Sequence, residues 1–194
     1  MLKLKINRVK SIKHTKMNIF VLSKNPKEAA LYHCNKHIVK MVLEYTQLLF
    51  TLTWCRNSLL FDILIAKDIK VYKLTHINHP CSVWLRESKS NIVWLIDLLE
   101  ESCKEYTFRY KKTHACEKYI QFFKSDLVPN CCVPDIGMTE FKLCMPDIMK
   151  VQGNPVESYR KYYRIHKKKE ISMVWFDGEK NTIDPPKWFT TQSK

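Results

Sequence analysis

Residues 33–50 read HCNKHIVKMVLEYTQLLF, and this stretch decides the fold. Between Lys27 and Cys55 no Gly or Pro interrupts the chain, so a single long helix is expected there. Ile38, Val39, Met41, Val42, Leu43, Tyr45, Leu48, Leu49 and Phe50 make it apolar nearly all round, the mark of a buried helix. At about 100° per residue, His33, His37, Lys40, Glu44 and Gln47 fall within an arc of about 80°. A polar stripe on a buried helix must be hydrogen-bonded or must line a cleft. The stripe is therefore either a structural network between helices or an active-site seam. On the second reading Glu44 is the acid/base group, because apolar turns on both sides shift a carboxylate's pKa. His37 and Lys40 stand beside it.

Composition agrees with a helical domain. The 194 residues suit one domain with its own core, and 45% hydrophobic and 12% aromatic content excludes global disorder. Only three glycines are present, at positions 137, 153 and 178. That excludes G-x-G-x-x-G and Walker-type loops, and it argues against a turn-rich all-β fold. The expected class is an all-α single domain spanning residues 17–194, preceded by a basic extension at 1–16.

Lys and Arg total 33 against 19 Asp and Glu, a net charge of +14. Such a chain attracts polyanions, nucleic acid first and anionic membrane second. Residues 1–16 carry five Lys and one Arg with no acid, and Arg160 to Lys169 carry six more basic residues. Both read as phosphate-contacting surfaces. The eight cysteines include no C-x-x-C pair, and no run of 18 apolar residues occurs. The expected location is intracellular, without a membrane partner; for a viral protein it is the host cytoplasm or nucleus, or the virion. Nothing points to an obligate protein partner. His114, Cys116, Cys131, Cys132 and Cys144 match no standard zinc-finger spacing, and His33 and His37 lack the Glu of H-E-x-x-H. No metal and no other cofactor is expected.

Other boundaries follow from local signals. Met17 to Leu22 is an apolar arm, and Asn25-Pro26 starts a helix. A short helix is expected over Leu59–Ala66. Pro80 opens a second long helix reaching Lys112, and prolines 129, 134 and 146 mark residues 125–150 as loop. Asn154-Pro155-Val156-Glu157 is a capping-box start for a helix running to Lys169. Before Pro80, His76, Asn78 and His79 sit where a helix N-terminus offers N–H groups to an anion. Arg109 is a candidate phosphate ligand at the end of the second helix. Tyr159, Arg160 and Tyr163 interleave aromatic and basic side chains, as nucleic-acid stacking surfaces do.

The order Asn35-Lys36-His37-x-x-Lys40-Met41-x-x-Glu44-x-x-Gln47, then His76-x-Asn78-His79-Pro80-x-x-x-Trp84, then Tyr106-x-x-Arg109-Tyr110, resembles small proteins of phages and large DNA viruses. More distantly it resembles the pyrimidine-dimer DNA glycosylases of the phage endonuclease V type, over residues 18–112. That resemblance implies an all-helical domain, Glu44 in the place of the catalytic glutamate, and Gln47 where a phosphate-binding Arg can stand. It also implies a nucleophile at the chain's own N-terminal amine. Here sixteen residues precede Met17, which leaves open whether Met1 or Met17 is the start. Lys40, one turn from Glu44, is the substitute nucleophile if it is desolvated. The implied activity is a DNA glycosylase, with AP-lyase chemistry, acting on damaged or modified pyrimidines in duplex DNA. An enzyme of nucleotide or modified-base metabolism and a non-catalytic nucleic-acid-binding virion protein stay open as alternatives.

Overall fold

The computed structural model describes residues 17–56, 59–66 and 70–190. The basic extension at 1–16 lies outside them. The all-α class holds: helices dominate, and the one sheet among the described residues is a two-stranded hairpin. No helix there is long and apolar enough to cross a membrane.

The stretch expected as one helix is two. Helix α1 (Pro26–Tyr32) begins as its sequence predicts: Pro26 occupies the first position and the Asn25 side chain accepts the Glu28 N–H at 3.1 Å. It stops at His33, whose backbone is extended, and α2 (Asn35–Arg56) starts afresh. No Gly or Pro makes this break. Arg109 makes it, by donating to the free carbonyls of Leu31 at 2.9 Å and His33 at 2.7 Å. Those oxygens would otherwise be helix-end orphans buried without partners. The Asn35 N–H also leaves the helical pattern, donating to Val174 O at 2.8 Å.

The short helix α3 (Leu59–Ala66) matches its expected limits. The second long helix is again two. Helix α4 (Pro80–Leu85) ends, and Ser88 caps α5 (Lys89–Tyr110). The loop at residues 131–146 docks on this joint: Lys89 N–H donates to Pro134 O, Ile136 N–H to Ser88 Oγ, and Thr139 N–H to Asn91 Oδ1. Helix α5 packs against both α1 and α2.

Residues 125–130 are helical, against expectation. Helices α6 (Ile120–Phe122) and α7 (Val128–Asn130) are joined by a π-helical stretch, and Pro129 lies near the end of this continuous helical run. Helix α8 (Pro155–Tyr162) has its expected Asn154 cap, accepting the Glu157 N–H at 3.0 Å. A π-helical stretch at Tyr163–Lys167 then leads into α9 (Lys168–Glu170). Strand β1 (Trp175–Phe176) pairs antiparallel with β2 (Thr182–Ile183), and α10 (Lys187–Thr190) follows. Trp188 and Phe189 of α10 contact Tyr32, Tyr163 and Trp175, so the C-terminal aromatics pack on the body.

The arm Met17–Leu22 is buried throughout yet has no strand partner among the described residues. It runs between α2 and α8, and side chains take up its polar groups. Tyr159 donates to Asn18 Oδ1 at 2.9 Å, Asn18 Nδ2 donates to Cys144 O at 2.9 Å, and Arg160 Nε donates to Leu22 O at 2.9 Å. Phe20 packs edge-on to Tyr159 and Tyr163 and parallel to Tyr162, which ties the arm to α8.

Candidate active site

A cleft of about 970 Å³ opens where the arm, α2, α4 and the α8–α9 segment meet. Its walls carry Lys36, His37, Lys40, His79, His166 and Lys167, against the single acid Glu170 among the lining residues. Behind this wall lies Glu44, 7% exposed; it does not itself line the cleft but is bonded to the lining residues Lys40 and Asn18. Its Oε1 is 2.9 Å from Lys40 Nζ, and its Oε2 accepts the backbone N–H of Asn18 at 3.1 Å. Burial raises the Glu44 pKa; Lys40 and the Asn18 N–H oppose that rise without cancelling it. A carboxyl poised toward neutrality suits proton transfer in either direction.

His37 reaches the same cleft and hydrogen-bonds the Tyr163 hydroxyl through Nδ1. Burial, then repulsion from His33, Lys167 and Lys40, pushes its pKa well below the ordinary value, so the ring is neutral. Lys167 lies over the Phe20 and Tyr162 rings at 5.9 and 5.1 Å. These two rings are stacked within 13° of parallel and both line the cleft, giving it an apolar face beside its cations.

Of the sequence-predicted residues, His37, Lys40 and Glu44 come together, and His79 joins them across the cleft. The others have different roles. His33 is not on the stripe, because the helix breaks at that residue. It is fully buried, with Nδ1 at 2.5 Å from Ala29 O and Nε2 at 2.9 Å from the Tyr45 hydroxyl. A carbonyl only accepts, so Nδ1 carries the proton and Nε2 accepts from Tyr45. Burial brings its pKa down to about 4. Gln47 is half-buried and off the cleft, since a turn further along α2 the cleft has closed. His76 and Asn78 are exposed and do not line the cleft; His79 instead caps α4, accepting the Cys81 N–H at 3.2 Å.

Arg109 is not a phosphate ligand. It is 2% exposed, its donors are taken by Leu31 O, His33 O and Asn35 Oδ1, and it lies 2.7 Å from Glu105. Tyr159 and Tyr163 are fully buried and offer no stacking face. Arg160 is held between the Tyr32 and Trp188 rings at 5.5 and 5.2 Å. The basic residues of this segment that face the cleft are His166 and Lys167.

Lys40 is about half exposed and ion-paired, so it lacks the desolvation a lysine nucleophile needs. Sequence reasoning missed Lys36, Tyr162, His166 and Lys167 as cleft residues. The basic run at 160–169 signalled the last two, but their side needed the turn register of a π-helical segment. The cysteines are all free, and the set around His114 and Cys116 does not converge. No protein-family model, curated protein or solved structure matches this chain.

Proposed function

We propose that this protein cleaves the glycosidic bond of a damaged or modified pyrimidine in DNA, with Glu44 as the acid/base group. The observation that carries this reading is a buried carboxylate, raised in pKa, bonded to the lining residues Lys40 and Asn18 of a cleft whose lining is cationic and aromatic. The cations suit phosphates on either side of an extruded nucleotide, and Phe20 and Tyr162 offer the extruded base an apolar surface. About 970 Å³ is room for one nucleotide. A damaged base costs less to take out of the stack, which favours it over its neighbours.

In the full chain the nitrogen next to Glu44 is the Asn18 amide, which is not nucleophilic. Water is then the nucleophile. It adds to C1′ while Glu44 takes its proton. The C1′–N bond breaks, and the base leaves with that electron pair and gains a proton from solvent. In a chain that starts at Asn18 the same nitrogen is an amine 3.1 Å from the carboxylate. The amine adds to C1′, the base leaves, and the resulting Schiff base permits elimination of the 3′-phosphate. The resemblance to the pyrimidine-dimer glycosylases supports this second route.

A duplex carrying one pyrimidine lesion tests both. The full chain is expected to release the base without borohydride-trappable adduct. The chain starting at Asn18 is expected to form the adduct and nick the strand. Base release by neither form overturns the reading. Phosphate release from nucleotides by the full chain would favour the nucleotide enzyme instead.

A further inference from the structure

On the α4 side of the cleft, donors of another chemistry converge. His79 caps α4, Cys81 lies in its first turn, and Cys144 enters from the loop at 131–146. Their ligand atoms all lie within 4.8 Å of one another, and the two sulfurs are 3.5 Å apart. Two thiolates at about 2.3 Å from a tetrahedral zinc ion stand roughly 3.7–3.8 Å apart, so the pair is already near that spacing. A disulfide would need the sulfurs at about 2.05 Å. His79 accepts the Cys81 N–H through Nδ1, so its ring is neutral; ligation through that nitrogen replaces this cap hydrogen bond.

We propose that His79, Cys81 and Cys144 bind one zinc ion, with its fourth position open to the cleft. Two sulfurs and one imidazole nitrogen are soft to borderline donors, the set that selects zinc over magnesium or calcium. His79 and Cys144 line the cleft, which gives the ion its entry path. Cys81 is 2% exposed and forms the inner ligand. Binding replaces the two S–H protons, so zinc uptake releases two protons and the two thiolates neutralise the ion. The site adjoins the same cleft as Glu44 but rests on its own donor set, and it holds whether or not the assignment of Glu44 does.

The test uses the full chain, stripped with a chelator and kept reduced with a phosphine. Titration with Co²⁺ is expected to give a thiolate-to-cobalt charge-transfer band that saturates at one equivalent and is displaced by Zn²⁺. Cys144→Ser, at a half-buried position and with its fold checked by circular dichroism, is expected to remove the band and weaken Zn²⁺ binding at least about tenfold, the loss that even an outer-shell partner causes. Cys81→Ser is expected to do the same, with its fold checked by circular dichroism. Cys132→Ser removes an exposed thiol outside the set and is expected to leave the titration unchanged. A band that survives Cys144→Ser overturns the proposal, as does the absence of any band. So does a Cys81–Cys144 disulfide that forms under mild oxidation despite one equivalent of Zn²⁺.

Discussion

Lowering the pH from about 7 to about 4 attacks this fold through His33. In the folded chain the ring is neutral, donating to Ala29 O and accepting from Tyr45, and burial holds its pKa down to about 4 against an ordinary value of 6.5. A depressed histidine contributes stability that is fully present above its unfolded pKa and is lost as pH falls through the folded one. The window is therefore 6.5 down to about 4. At about 1.4 kcal/mol per tenfold change in proton activity, the loss is about 3 kcal/mol from His33 alone. His37 titrates in the same direction and adds to it. Glu44 opposes both, since its raised pKa makes its carboxylate less costly as it protonates. The variant His33→Gln isolates one contribution. Urea unfolding followed by tryptophan fluorescence, at several pH values across the window, gives wild-type stability minus variant stability. That difference is expected to shrink by about 3 kcal/mol between pH 6.5 and 4. A difference that stays flat would refute the reasoning, because a neutral, buried His33 cannot be pH-silent.

Other outcomes follow from the same geometry. Arg109→Met leaves Leu31 O, His33 O and Glu105 without their partner, and is expected to cost about 3–5 kcal/mol in a denaturant titration; a stable variant would show that the α1–α2 break does not depend on it. The same Arg109 variant, wherever it still folds, is expected to keep the wild-type salt dependence of DNA binding. Lys36→Gln and Lys167→Gln are each expected to lower the slope of log K against log salt by about 0.9, whereas Arg160→Gln leaves it unchanged; the reverse pattern would move the DNA surface off the cleft. Deleting residues 1–16 removes six positive charges and is expected to lower that slope by up to about five; an unchanged slope would free the extension from any DNA role.

The helical class and the core of the site were legible because their signals are local. Residues 38–50 are apolar nearly all round, and the spacing of His37, Lys40 and Glu44 puts them on one side of any helix. Asn25-Pro26 and Asn154-Pro155 are caps whose hydrogen bonds reach three residues along, and both formed. The first helix break escaped sequence reasoning because its cause is distant, Arg109 reaching back 78 residues to Leu31; the second had a local signal in the Ser88 cap, although the Thr139 segment that docks on Asn91 comes from 48 residues away. The same distance misassigned side chains. An Arg in an aromatic setting looks like a phosphate ligand until the carbonyls it caps are known. The tyrosines at 159 and 163 look like stacking surfaces until the arm is seen to cover them. The pairing of Cys81 with Cys144 joins a helix start to a loop 63 residues later, and no spacing rule connects them.

The most direct measurement is single-turnover base release by the full chain and by Glu44→Gln, on a duplex with one defined pyrimidine lesion. The substituted amide keeps an acceptor for the Asn18 N–H but can neither take nor give the proton. The variant is expected to fold, to bind the duplex with unchanged salt dependence, and to release the base about 10²–10⁴-fold more slowly. Release at the wild-type rate by a folded, binding-competent Glu44→Gln would contradict the assignment of the cleft's chemistry to Glu44.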